Sequence, residues 1–148
     1  MLNKVKPHYP ESKNILITGA SSGFGLLIAN ELHRKGYHVI GTSRNPEKIQ
    51  SAVPFKMIAL DLDSEQSINT LPERVFNEVS RLDILINNAG VMLLGQIVDA
   101  PVEEWDRMID LNLKGLLYVA HAALPHLIQA AESEPRRVAD LVNVSSVA

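Results

Sequence analysis

The stretch Asn14-Ile15-Leu16-Ile17-Thr18-Gly19-Ala20-Ser21-Ser22-Gly23-Phe24-Gly25 decides the fold. Asn14 to Thr18 is a short, β-branched apolar run, which reads as a buried strand. It ends at glycines spaced G-x-x-x-G-x-G. From Gly23 to Lys35, Phe24, Leu27, Ile28 and Leu32 then recur at helical spacing. A strand that turns through glycine into a helix aims the helix's unpaired N–H groups at whatever lies in the turn, and that favours an anion. Glycine permits the tight turn, lets the backbone approach a pyrophosphate and lets the helix pack on the strand. An ordinary strand–helix turn could share this spacing, so the rest of the chain has to decide.

Working outward, short apolar runs alternate with helical stretches. Arg34 and Lys35 suit the negative end of the first helix, and Gly36 is its natural left-handed stop. Tyr37–Ser43 is a second strand. Asn45-Pro46 reads as an N-cap with proline in the first turn of a short helix to about Gln50. Phe55–Leu60 is a third strand. Ile68, Leu71, Val75, Val79 and Leu82 follow helical spacing from about Ser64, but Pro72 cannot donate to Ile68. A break is expected there, with Thr70 capping the second segment and Glu73 completing a capping box. Asp83–Ile86 is a fourth strand, ending in Asn87-Asn88-Ala89-Gly90. A long helix covers about 101–131, apolar on more than one side, with a kink at Pro125. A charged loop from Glu132 to Arg137 leads to a fifth strand, Val138–Val144.

Strands separated by helices imply right-handed βαβ units in a parallel sheet. The expected fold class is α/β, a doubly wound Rossmann-type sheet with strand order 3-2-1-4-5. Its switch point lies between strands 1 and 4, so a ligand should sit at their carboxyl ends. The Asn87–Gly90 turn falls at that point, and this favours a dinucleotide over a bare turn.

Composition narrows the function. The chain has 148 residues, enough for one domain, and 46% of them are apolar, enough for a core. The formal charge of −3 comes with no basic run, so no nucleic-acid partner is expected. There is no cysteine, which excludes disulfides and thiolate metal sites. His121/His126 and His33/His38 lack zinc spacing, and Asp61-Leu62-Asp63 lacks the rest of a calcium loop, so no metal is expected. No run approaches ~18 apolar residues, so no membrane span is expected, and residues 1–13 read as a disordered or loosely packed arm without a signal peptide. A cytoplasmic location is the expectation. Asn143-Val144-Ser145 matches a glycosylation sequon by chance, on a strand expected to be buried.

Four motifs in order, TGASSGFG at Thr18–Gly25, Asn87-Asn88-Ala89-Gly90, Asn112-Leu113-Lys114-Gly115 and Asn143-Val144-Ser145-Ser146, resemble the short-chain dehydrogenase/reductase family over about residues 14–148. The resemblance implies an oxidoreductase that interconverts an alcohol and a carbonyl with a nicotinamide cofactor. It implies that the Gly19, Gly23 and Gly25 loop holds the pyrophosphate and that Ser21, Ser22 and Phe24 also bind the cofactor. Asp61 would bond the adenine amino group with the Leu62 backbone beside it, and Asn88, Ala89 and Gly90 would line the adenosine ribose. Asn112 would support a relay water and Ser146 would polarise the substrate carbonyl. Alternatives remain for two of these: Asp61 could cap the next helix, and Asn112 could bond only neighbouring backbone. Ser145 reads as the strand's last polar residue.

At the end of the second strand, an acidic residue would select NAD and an arginine would accommodate the NADP 2′-phosphate. Ser43 occupies the acid's place and Arg44 follows, so NADP(H) is expected over NAD(H), unless Arg44 is only a solvated surface residue. Family members run on to a Tyr-x-x-x-Lys motif, and the expectation is that this chain lacks it. Residues 14–148 then read as an incomplete NADP(H)-binding domain. The parent protein would be an enzyme and the 148-residue chain alone inactive, with a non-catalytic nucleotide-binding fragment as the alternative. A homo-oligomer formed through the helix around 101–131 is also expected.

Overall fold

The computed structural model describes residues 13–134 and 137–146. Five parallel strands form one sheet: β1 (Asn14–Ile17), β2 (His38–Ser43), β3 (Lys56–Ala59), β4 (Ile84–Asn87) and β5 (Asp140–Asn143). Their order is β3-β2-β1-β4-β5, as the βαβ pattern requires. Leu16 pairs with Ile40 on one side and Leu85 on the other, and Ile86 pairs with Val142. The strand order reverses between β1 and β4.

Alternation along the strands sends side chains to both faces. Ile15, Ile17, Val39, Met57 and Ile86 face α1 (Gly23–Arg34), while Leu16, Ile40, Ile58 and Leu85 face the opposite layer. That layer holds α2 (Glu65–Asn69), α3 (Leu71–Phe76) and α5 (Leu116–Glu132), reached through α4 (Val102–Ile109). Both faces are therefore covered at the sheet centre, which is why the inner strands read as continuous apolar runs.

Several local expectations hold. At the end of α1, Gly36 takes φ +91°, with Gly36 N–H donating to His33 O at 2.9 Å and Tyr37 N–H to Leu32 O at 3.1 Å. This pair of bonds is a Schellman stop. The helix does break at Pro72, which lies in the first turn of α3.

Others are corrected. Thr70 stands between α2 and α3 with αR backbone but makes no side-chain cap: its hydroxyl donates to Gln66 O at 2.8 Å, so the capping box with Glu73 is absent. Ser64 caps α2 instead, its hydroxyl accepting from Ser67 N at 3.2 Å. Val79 and Leu82 are buried as the helical spacing suggested, but they lie beyond the end of α3 at Phe76. Asn45-Pro46 opens two 3₁₀ turns, Pro46–Lys48 and Gln50–Ala52, and Asn45 makes no capping bond.

A π-helical segment, Asp110–Gly115, interrupts the long helix, while Pro125 lies inside α5. Only a stripe of Val119, Ala123, Leu127 and Ala130 is buried, so the expected cover on more than one side is not present among the described residues. β5 is an edge strand with Leu141 and Val142 each 44% exposed, which corrects the expectation that the sequon strand is buried. Of the expected arm, residues 1–12 lie outside the described residues. Lys13 O accepts from His38 N at 3.0 Å, which ties it to the amino end of the sheet. Pro135 and Arg136 of the charged loop are likewise outside. No helix among the described residues is long and apolar enough to cross a membrane.

Candidate functional site

A cleft of about 430 Å³ opens at the carboxyl ends of β1, β2 and β4, at the strand-order reversal. Its floor is the glycine turn. Gly19 takes φ +67°, and a Cβ there would stand 2.8 Å from Ala89 Cα. A Cβ on Gly25 would stand 2.2 Å from Gly19 O. Only glycine lets the turn close this tightly on α1 and on the loop after β4. Gly23, at φ +54°, has nothing within 4 Å of its missing Cβ, so this part of the turn is open.

Side chains lock the turn in place. Thr18 Oγ1 accepts from the Asn88 and Ala89 N–H groups, each at 3.0 Å. Asn88 Nδ2 donates back to Thr18 O at 3.1 Å and Gly19 O at 3.2 Å. From β2, Thr42 O accepts from Ala20 N at 2.9 Å and Thr42 Oγ1 from Gly19 N at 3.4 Å. Buried Thr18 and Thr42 thus satisfy the polar backbone of a turn that has left regular structure.

The residues expected at the site fall into two groups. Gly19, Ser21, Ser22, Gly23, Phe24, Ser43, Arg44, Leu62, Asn88, Ala89 and Gly90 all line this one cleft. Gly25, Asp61, Asn112 and Ser146 do not. Gly25 lies beneath the floor as a packing residue. Asp61 accepts from Asp63 N at 3.1 Å, closing a local turn, and Ser64 rather than Asp61 caps the helix. Ser146 is exposed beyond the end of β5.

Asn112 lies in the π segment and does more than bond its neighbours. Its carbonyl accepts from Val91 N at 2.8 Å and its amide donates to Val91 O at 2.7 Å, across 21 residues. This leaves one amide hydrogen and one lone pair for a further partner. Nearby, Lys114 donates to Asp110 at 2.7 Å, and that bond holds the ammonium above its ordinary pKa.

A fold with this strand order, and a cleft floored by glycines at the switch point, suits a dinucleotide. Residues 13–148 match the short chain dehydrogenase family. The chain belongs to that family.

Relatives agree with the assignment. An uncharacterized oxidoreductase of Staphylococcus aureus strain USA300 is 37% identical over 141 residues, spanning 91% of this chain and 58% of that protein. Among solved structures, a 3-ketoacyl-(acyl-carrier-protein) reductase from Brucella melitensis complexed with NADH superposes with a TM-score of 0.84 at 27% identity, covering 92% of this chain and 58% of that one. ElxO with NADP bound superposes at 0.80 with 30% identity, covering 92% and 56%. The chain therefore spans less than two thirds of the length of these relatives.

One expectation about the family motif needs correction. A Tyr-x-x-x-Lys spacing does occur, at Tyr9 and Lys13. It precedes β1, and Lys13 sits at the amino end of the sheet, opposite the cleft, so it does not correspond to the family's motif after the fifth strand. Sequence reasoning also missed contributors to the cleft. Thr42, Leu60, Val91, Arg107 and Leu111 line it. The β2 position of Thr42 could have flagged it, because strand ends build the switch-point crevice. Nothing local marks Arg107, which reads as one more charge on an amphipathic helix.

Proposed function

We propose that this short-chain dehydrogenase chain forms the dinucleotide-binding part of an NADP(H)-dependent oxidoreductase that interconverts an alcohol and a carbonyl. The observation that carries the cofactor reading is the end of β2. The Ser43 hydroxyl is buried without a hydrogen-bond partner while Ser43 lines the cleft, and Arg44 follows it, exposed and engaged by no described side chain. A buried orphan hydroxyl costs free energy unless a ligand meets it. A guanidinium beside it offers a planar fork to a 2′-phosphate, and no carboxylate stands there to repel one.

The remaining residues fit the same ligand. The open amino end of α1, at Ser21, Ser22, Gly23 and Phe24, suits the pyrophosphate, with Gly19 and Gly25 keeping the turn low. Asn88, Ala89 and Gly90 would border the adenosine ribose, with Leu62 beside the base. Asp61 would reach the adenine amino group with a carboxylate oxygen not used by Asp63. The bound nicotinamide would supply or accept hydride. Ser146, beyond the end of β5, would orient the substrate oxygen by hydrogen bonding. Asn112 would use its spare amide hydrogen and lone pair to steady a water.

A second part of the proposal concerns assembly. Ile109, Leu113, Leu117 and Ile128 are each about half exposed along α4 to α5. Such an apolar face favours association, and we propose a homo-oligomer formed through it.

Titration of the intact protein with NADPH and NADH tests the cofactor reading, and NADPH oxidation over a panel of small carbonyl compounds tests the reaction. Tighter NADPH binding and turnover of at least one carbonyl are expected. Equal affinities would remove the preference for NADP(H). Sedimentation velocity checks the oligomer.

A further inference from the structure

The cleft carries an arginine that the dinucleotide reading has not used. Its lining includes Arg44 and Arg107 and, among the described residues, no aspartate or glutamate. The chain as a whole has a formal charge of −3, so this cationic lining is local. Arg107 lies in α4 among acids: Glu103 and Glu104 precede it and Asp110 follows. Spacings of three and four residues on a helix would let any of them pair with it. Asp110 instead bonds Lys114, and Arg107 makes no ion pair with a described residue. Its side chain is left to the cleft wall.

Its position along the cleft follows from its neighbours. Leu111, one turn further on, lines the same cleft, so both face it. Leu62 lines it too, and Gly115 brings the π segment close to Leu62: a Cβ there would stand 3.2 Å from Leu62 Cβ. α4 and the π segment thus roof the β3 end of the cleft. If the glycine turn takes the pyrophosphate and Arg44 a 2′-phosphate, the adenosine half lies over this end. Leu62 and Leu111 then make an apolar slot with a guanidinium at its rim. Such a slot fits a flat aromatic base, because an arginine plane stacks on a π face.

We propose that Arg107 is a nucleotide-binding residue that packs its guanidinium on the adenine ring. The proposal rests on the dinucleotide reading and adds a base contact from α4. It separates the two arginines by ligand: Arg44 meets only 2′-phosphorylated nucleotides, whereas Arg107 meets every adenine nucleotide.

Calorimetric titration of the intact protein with NADPH, NADH, adenosine 5′-monophosphate and reduced nicotinamide mononucleotide tests this. Arg107→Leu should weaken the first three by a similar factor, about three- to ten-fold, and leave the mononucleotide of nicotinamide unchanged. Arg107→Lys, which keeps the charge but not the plane, should fall between. Arg107→Gln guards against a leucine variant that misfolds and should behave like it. Unchanged affinities in Arg107→Leu and Arg107→Gln overturn the proposal. So does a loss confined to NADPH, which would make Arg107 a phosphate contact. Failure of the unaltered protein to bind any adenine nucleotide would instead remove the dinucleotide reading on which the proposal stands.

Discussion

Thr18 and Asn88 hold each other's backbone across the switch point. The Thr18 hydroxyl accepts from two consecutive N–H groups, of Asn88 and Ala89, while the Asn88 amide reaches back to the carbonyls of Thr18 and Gly19. The end of β1 and the end of β4 are thereby joined where neither continues as strand. Thr18 is almost fully buried, at 2% exposure, so water cannot replace its oxygen. Thr18→Val should leave two N–H groups without an acceptor and cost about 1–3 kcal/mol for each, lowering Tm by roughly 2–4 °C per kcal/mol. Thr18→Ser keeps the oxygen and should recover most of that loss. The two side chains make separate bonds but fix the same two backbone segments, so Thr18→Val with Asn88→Ala should cost less than the sum of the two alone. Thermal unfolding of the four variants checks this, and strict additivity would mean that the clamp is not a unit.

Arg44 should read the nucleotide's 2′-phosphate. A charge-assisted hydrogen bond is worth ~1.5–3 kcal/mol, so Arg44→Leu should weaken NADPH about ten-fold or more and leave NADH nearly unchanged. Equal losses for both, measured by fluorescence titration, would sink the assignment. Raising ionic strength should weaken NADPH more than NADH in the unaltered protein, since the exposed guanidinium is open to screening.

Valine at Gly19 and at Gly23 should act differently, although the motif gives both glycines the same role at the pyrophosphate. At Gly19 the new Cβ meets Ala89 Cα at 2.8 Å and the backbone is left-handed as well, so the turn itself must move and stability should fall together with affinity. At Gly23 there is nothing within 4 Å, and the main penalty is the left-handed backbone at φ +54°, ~1–2 kcal/mol. The protein should fold with a modest loss in Tm while cofactor affinity drops, because the side chain occupies open space in the cleft. A Gly23→Val protein that titrates NADPH like the unaltered one would show that this part of the turn does not meet the ligand.

The sheet was legible because its signals are local. Ile15, Leu16 and Ile17 announce a strand, Gly36 its helix stop, and the glycine turn the crossover, and the parallel order follows from handedness rules. Breaks in helices were legible only as events. Pro72 marks where α3 must begin, yet no side chain caps that start: the Thr70 hydroxyl bonds backward to Gln66, and Ser64 caps only α2. The π segment at Asp110–Gly115 leaves no comparable mark, since it is held by Asn112 reaching Val91, a contact 21 residues away. Most of the cleft lining was named from motif position, while Arg107 and Leu111 were not. Their place depends on how α4 crosses the sheet, and no periodicity in α4 encodes that.

Asn112 should act as a positioning residue. Its amide closes a two-bond pair with Val91, and it stands against Gly90, where a Cβ would lie 2.9 Å from its Oδ1. The pair ties the loop after β4, which borders the cleft, to the π segment that roofs it. Asn112→Ala removes both bonds. They are exposed, so water can take up the freed groups, and the global cost should be small, about 0.5–1.5 kcal/mol per bond. The local effect should be larger: Val91 N–H loses its acceptor and should exchange with solvent much faster, while amides in β1 and β4 keep their protection. Asn112→Asp retains an acceptor for Val91 N–H but loses the donor to Val91 O, so it should restore slow exchange at Val91 without restoring the full stability. Hydrogen exchange followed by nuclear magnetic resonance separates these outcomes. If Val91 exchanges equally in the unaltered protein and in Asn112→Ala, the loop is held by other contacts. If β1 and β4 lose protection together with Val91, Asn112 supports the whole fold rather than the cleft wall.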